Sequence, residues 1–569
     1  MAQNFNWKGF RMQFSLRMLL IAITLVAICG WVISERDRAA KEAEALQSLS
    51  QLSTNHRWRF QWSYASDLNE EENEEDREKE ADPKYRDGNR RESHQRGIGK
   101  WLGPGFLDPV VALSISTETG SFNICEPLDR KAWESIASFR ELRRLSIRAE
   151  FSQFKVSDFE KLKRLESLSI FSENAPFPLA AINGHSSLKE LTLKSRTGCY
   201  IAADEPCSFR LKSLRLDGWP RDGNAFELVD FGDLSKLESL WISAGFSVYT
   251  EAKKFSLKSN SGLDSLKKMT LINCKVEDFS EIYDSTTLQQ IQIRGNLGVY
   301  GFCNNLNRNS LPALEELRLK VLGLFGRDEP QEIVEYCHSL EYLPSLKKID
   351  LSDSRIKQIK LLPELPNLRE LRLECEKLES FSAPLHQIES LSCKVNSLQQ
   401  LDFLTDDNNR LKRISIDGGY SRNLPVKNLD CLRFAKNLER VDLVNTGLES
   451  LDFAVETEKL KHVHLQFNDR ITSIEGLSGS ADTLESIVLS INQQLLEFGV
   501  LEQPMSQLRE LVLRAGRRKI SDDHFNNVHL DLKGDLNRFN KLEVPNRTQI
   551  GERKKSLDLW SFSKESRQW

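Results

Sequence analysis

The chain has 569 residues, of which 39% are hydrophobic and 28% charged, with a net charge of −4 at pH 7. That length is more than one compact core usually holds, which leaves several domains or a repeat that grows in one dimension. The slightly negative, mixed charge excludes a general polyanion binder and names no partner.

In chain order, residues 1–13 form a short basic N-terminus, expected in the cytoplasm. Met18–Ile33 (MLLIAITLVAICGWVI) is the one long uncharged apolar run. As a helix it rises about 24 Å, a little short of a hydrocarbon core of about 30 Å. Phe14 and Leu16 lengthen it, and Arg17 can reach the headgroups. A cleaved signal peptide is the rival reading, but CGWVISER offers no convincing small-residue site, and Ile28 before Cys29 does not suit lipid attachment. The expectation is an uncleaved transmembrane anchor over residues 14–33. Lys8, Arg11 and Arg17 precede it without an acid, whereas Glu35, Arg36, Asp37 and Arg38 follow in balance. The positive-inside rule then puts the repeats on the extracytoplasmic side of the cytoplasmic membrane.

Residues 34–65 read as a juxtamembrane helix with Ala39, Ala43, Leu46 and Leu49 on one stripe. The segment 66–96, acidic at Asp67–Glu80 and nearly free of apolar residues, reads as a disordered linker. WLGPGFLDPVVALSIS restarts order inside residues 97–141. There Val110, Leu113 and Ile115 are spaced as in the repeats that follow, so this stretch is expected to cap them.

From Leu142 to Leu513 one pattern recurs sixteen times: apolar, two variable residues, apolar, one variable residue, apolar. LRRLSI at 142, LKELTL at 188, LEELRL at 314, LRELRL at 368 and LRELVL at 508 are examples. The separations run from about 20 to about 32 residues and mostly fall between 22 and 24. The fourth and sixth positions, such as Leu371 and Leu373, share one side of a strand, while the third, fifth and seventh face the other way. One unit cannot bury its apolar edge, so neighbours must stack. The expected product is a solenoid of parallel strands about 4.8 Å apart, with longer returning segments outside.

The pattern resembles the leucine-rich repeat family over roughly residues 107–530. The resemblance implies an α/β repeat solenoid: a right-handed horseshoe with a parallel β-sheet on its concave face, preceded here by one transmembrane helix. That family favours Asn or Cys at the ninth position. Asn296, Asn396, Asn468, Asn492 and Cys274 fit, whereas Glu173, Arg196, Trp219 and Thr446 do not, which implies an irregular solenoid. The unit from Leu314 contains EPQEIVEYCHSLEYLP and is expected to carry a helix. Residues 142–530 hold the repeats, with FNNVHLDL as a final strand, and 531–569 are a C-terminal cap or tail. The order of basic start, FSLRMLL, short anchor, charged helix and WLG…FLDPVVALSI is similar to membrane-anchored repeat proteins of bacteria.

Chemistry is sparse. No C-x-x-C, G-x-S-x-G, H-E-x-x-H or G-x-x-x-x-G-K-[ST] occurs, and no cofactor or enzyme activity is expected. Cys274 and Cys393 read as small core hydrophobes. Cys199 and Cys207 share a loop; free thiols and a disulfide both stand as readings. His462 and His464, with Asp442 on the preceding strand, have metal-ligand chemistry. Arg440 beside them opposes a cation, so no metal site is expected. The third, fifth and seventh positions carry more basic than acidic side chains, with interspersed signs that imply cross-strand pairing. A nucleic-acid stripe with aromatic platforms is missing. Trp241 beside Arg215 is the exception, either a binding hot spot or a side chain covered by a loop.

The candidate binding residues on the concave face are therefore Arg215, Trp241, Arg318, Asp350, Arg372, Asp442 and His464. The expected function is a non-enzymatic, membrane-anchored binding or scaffold protein, its partner a protein or an acidic envelope polymer. The alternative is a self-associating structural component of the cell envelope.

Overall fold

In a computed structural model the described residues are 16–55, 58–64 and 110–117, most of 128–321 and 340–514 apart from parts of the returning loops, and short strands at 529–530, 541–544, 549–550 and 560–563. They fall into two compact units. The first comprises Met1–Gly223 with Val229–Leu234, and the second Asn224–Leu228 with Ser235–Trp569.

The first unit opens with helix α1 (Leu16–Asn55), 40 residues long and so about 60 Å. Strand β1 (Trp58–Tyr64) follows and pairs antiparallel with β2 (Val110–Thr117). β2 in turn lies parallel to Arg144–Arg148, and Ser167–Ser172, Glu190–Ser195 and Ser213–Asp217 extend the ladder in order. Strand β1 departs from the expected helix over 34–65. Trp58, Phe60, Trp62 and Tyr64 alternate at the strand period of two, and aromatic residues suit a pleated surface. The short helix Arg130–Ile136 is N-capped by Asp129, whose Oδ1 accepts from the Ala132 N–H at 2.7 Å. Behind the strands Trp133, Phe159 and Phe177 pack with successive ring centroids 5.8 Å apart.

In the second unit twelve strands from Ser239–Ser243 to Glu510–Arg514 form an all-parallel ladder in sequence order. The ladder continues past the expected end at 530. Lys541–Val544 pairs parallel with Glu510–Arg514, and Trp560–Ser563 closes it antiparallel. The added strand belongs to FNKLEV, which has the repeat spacing with Phe539 in place of the leading leucine. His529–Leu530 lies off the ladder, paired with Gln549–Ile550.

Burial follows the pattern. Leu368, Leu371 and Leu373 are 0%, 1% and 0% exposed, and the strand Glu370–Glu374 alternates between buried and exposed residues. Each such leucine contributes about 1.5–3 kcal/mol relative to an exposed one. At the start of most strands two consecutive N–H groups share one carbonyl of the preceding unit: Arg369 and Glu370 both donate to Lys347 O, at 2.7 and 3.0 Å. A polar residue just before the leading leucine reaches back as well. Ser187 Oγ donates to Lys163 O and Leu165 O, and Thr287 Oγ1 to Asp264 O and Leu266 O. The residue after the strand often turns left-handed, as at Asn273, Asn445 and Phe467, with φ of 56°, 52° and 57°. Gly218 does so at 140°, and a Cβ there would fall on the Ser195 carbonyl oxygen.

At the ninth position, buried Asn468 acts as expected. Its Oδ1 accepts from Thr446 N at 2.8 Å and Thr446 Oγ1 at 2.6 Å, and its Nδ2 donates to Leu443 O at 2.7 Å. Thr446 thus joins the same network rather than breaking it. Cys274 Sγ donates to Ile272 O at 3.2 Å and lies 3.8 Å from Ile242 O. Asn396 differs: its buried Oδ1 has no hydrogen-bond partner among the described residues. Asn296, Asn492, Glu173, Arg196, Trp219, Cys199, Cys207, most of EPQEIVEYCHSLEYLP, the 66–96 segment and residues 1–13 lie outside the described residues.

Among the described residues no helix is long and apolar enough to cross a membrane. Only part of the 14–33 segment belongs to them, since described side chains of α1 begin at Ile23.

Asn468→Ala strips two donors and a carbonyl of a buried partner. The expected loss is roughly 2–4 kcal/mol, read as an earlier unfolding midpoint. An unchanged midpoint would show that the turn does not rely on this amide.

Candidate binding face

The parallel register sorts the outward side chains into rows. In the second unit the fifth positions run Trp241, Thr270, Gln292, Arg318, Asp350, Arg372, Ser392, Ser415, Asp442, His464, Val488 and Val512. Six of the seven residues singled out from the sequence stand on this one row. Arg215 holds the equivalent place in the first unit, beside Thr192. Arg215 and Trp241 belong to different units, so their pairing is part of neither unit's own face. Trp241 is half-buried.

The charges pair both between strands and within them, two residues apart, where side chains share a face. Arg318 Nε donates to Glu316 at 2.7 Å, Arg372 Nη2 to Glu374 at 2.9 Å, and Arg440 to both oxygens of Asp442 at 2.8 and 3.2 Å. Cross-strand links supplement them. Lys348 meets Glu370 at 3.0 Å, and Lys320 reaches Glu374 at 3.4 Å. Sequence reasoning anticipated cross-strand pairing and missed the in-strand acids, although ELRLE carries the signal in plain view.

Around Asp350, four basic side chains (Arg318, Lys320, Lys348, Arg372) balance four acidic ones (Glu316, Asp350, Glu370, Glu374), so the middle of the face is locally neutral. Asp350 lies between Arg318 and Arg372 in register, yet among the described residues it forms no hydrogen bond or ion pair within 4 Å. Both guanidinium groups are engaged by glutamates of their own strands. Burial raises the Asp350 carboxyl above the ordinary aspartate value; Arg372 opposes the rise, Glu374 adds to it, and Arg318 and Lys320 oppose it. Glu374 moves the other way. Burial alone would raise it, but Arg372 and Lys320 together hold it below the usual range.

His464 Nδ1 stands 3.8 Å from Asp442, but both Asp442 oxygens already accept from Arg440. That arrangement does not suit a cation, and no cluster of metal-ligating side chains occurs among the described residues. The buried thiols of Cys274 and Cys375 are each pushed up to about 12 by desolvation, and Cys393 is raised too. Thiols held protonated in this way are poor nucleophiles.

No protein-family model matches the chain, and no curated protein does. Among solved structures it is similar to an internalin of Listeria monocytogenes at 11% identity, over 67% of this chain and 77% of that one, with a TM-score of 0.27. A leucine-rich repeat protein of Leptospira interrogans is similar at 18% identity over 61% and 88%, with a TM-score of 0.29. The structure of the Toll–Spatzle complex of Drosophila is similar at 15% identity over 74% and 58%, with a TM-score of 0.42. Such values carry nothing about a site. The leucine-rich repeat architecture stands on the strand ladder and its buried first, fourth and sixth positions.

Asp350 gives a pH test. Its folded pKa is raised, so the folded state holds the proton more tightly. Its contribution to stability is therefore greatest below the ordinary value near 3.8 and is lost as pH rises through the raised value. Asp350→Asn is expected to stabilise the second unit at neutral pH, with an advantage over the parent that shrinks on acidification. Denaturant midpoints at pH 7 and pH 4 measure this, and a lower midpoint for the variant at pH 7 would contradict it.

Proposed function

We propose that the chain is a non-enzymatic scaffold, anchored in the cytoplasmic membrane by its N-terminal helix, whose extracytoplasmic repeat face binds a protein partner. The observation that carries the binding part is the fifth-position row. It aligns Trp241, Arg318, Asp350, Arg372, Asp442 and His464 on a regular sheet, and Trp and Arg are enriched in binding hot spots. Local charge balance favours a protein surface over an acidic envelope polymer, because a polyanion needs uncompensated cations.

The anchor reading is supported by the apolar part of α1. Ile23, Leu25, Val26, Ile28, Trp31 and Ile33 are 57%, 56%, 72%, 49%, 52% and 68% exposed. A helix apolar on every side finds its medium in a core or a bilayer, and no protein core covers this one among the described residues. Self-association is the second reading. It is favoured by Trp560–Ser563, the last strand of the ladder, which has one pairing partner among the described residues, since a strand paired on one side can template another chain.

Two measurements test the proposal. Pull-down with the full chain in detergent should capture a protein that is lost with Arg318→Glu, Arg372→Glu and Trp241→Ala together while the melting curve is retained. Undiminished capture by that variant would refute the face assignment, and capture of the chain alone would favour self-association. An epitope appended after Trp569 should be removed by protease added to intact spheroplasts of a bacterial host. Its protection would overturn the topology.

A further inference from the structure

Helix α1 does not stop where its apolar run stops. It is one helix from Leu16 to Asn55, and the environment of its side chains changes along its length. From Ile23 to Trp31 every described residue is exposed. Beyond Ser34, Ala39, Glu42, Ala45 and Leu49 are buried, at 3%, 2%, 4% and 0% exposure, with Ala43 and Leu46 half-buried beside them. This face packs on the helix Arg130–Ile136 and on β1. The stripe expected from the sequence is thus present but rotated, and a glutamate sits at its centre.

Glu42 is the fastening point. One carboxylate oxygen accepts from Arg38 Nη1 at 2.8 Å, and Arg38 Nε donates to Glu35 at 2.8 Å. The other oxygen accepts from the backbone N–H of Val110 at 3.3 Å, 68 residues away. Val110 is the first residue of β2, so one buried side chain joins α1 to the first strand of the ladder. β1 makes a second connection, since it follows α1 after two residues and pairs with β2 along its whole length. Both ends of the acidic segment, Tyr64 and Val110, are therefore held in the first unit, in register with each other.

We propose that α1 is a rigid stalk, continuous from the membrane into the first unit and clamped there by Glu42 and β1, so that the acidic 65–109 connection bears no load between membrane and repeats. Ala39, the first buried residue, lies six positions after Ile33, and Glu42 lies nine after it, which places the clamp about 9–14 Å from the end of the apolar run. This deepens the anchor reading above and rests on it. It also replaces the expected tether: an acidic linker between anchor and solenoid would let the repeats wander, whereas a docked helix fixes the first unit at the bilayer surface.

The test is cleavage without separation. A site-specific protease cassette is inserted after Glu75 in the full chain, and isolated membranes carrying the protein are treated with that protease. Both fragments are expected to sediment with the membranes, the repeat fragment entering the supernatant only after urea. Its release without denaturant would overturn the proposal. In the same cassette chain, Ala45→Asp with Leu49→Asp should free the repeat fragment on cleavage alone, and continued retention would refute the clamp residues. If the uncleaved chain fails to sediment with membranes, the anchor reading fails by itself. Co-elution of the two fragments in detergent gel filtration would then uphold the clamp, and their separation would remove it.

Discussion

The structure depends on one constraint: a unit of this length cannot bury its own leucines. The first, fourth and sixth apolar residues of each motif find cover only against the same residues of the next, which forces identical register from strand to strand. Parallel pairing of Leu319 with Leu351, and of Leu351 with Leu373, follows from that shared need. The turns are then repetitive too, and their polar groups are met by side chains at fixed places, such as Asn468 inside the turn and Ser187 or Thr287 before the leading leucine.

The same register that buries the core organises the exposed side. Once the leucines are stacked, the third, fifth and seventh positions have no freedom but to form rows, whatever residues occupy them. Arg318, Asp350 and Arg372 are neighbours because Leu317, Ile349 and Leu371 are. A face of this kind changes its chemistry residue by residue without disturbing the fold, which is why architecture and partner are separate questions here.

What was legible in the sequence was what recurs. Sixteen copies of one spacing outweigh any single irregular unit, so strand positions and buried residues were readable in advance. The misses lie where the signal is local or breaks composition rules. Phe539 in place of leucine hid the strand Lys541–Val544, and a single aromatic alternation hid β1 behind a long helical stretch. Glu42 gives no signal in the sequence, because a glutamate beside a small, apolar stripe reads as solvent-facing. Its partners, Arg38 and the Val110 N–H, come from four and 68 residues away, and only the fold brings the second one near. The in-strand Arg–Glu pairs were overlooked for the opposite reason. Neighbouring strands draw attention to cross-strand partners, while side chains two apart in one strand, about 6.6 Å along it, are within reach of a long arginine.

Pairing within the strand also bears on how such a face recognises anything. Arg372 held by Glu374, and Arg318 held by Glu316, lose much of their long-range field, so they steer an approaching partner weakly. Their planar guanidinium groups are instead pre-oriented, which lowers the entropy lost on contact. Asp350, half-buried between them and without an ion pair of its own among the described residues, is the carboxylate whose environment a docking donor would change most. Discrimination on this face then comes from matching fixed donors and acceptors at strand spacing rather than from net charge.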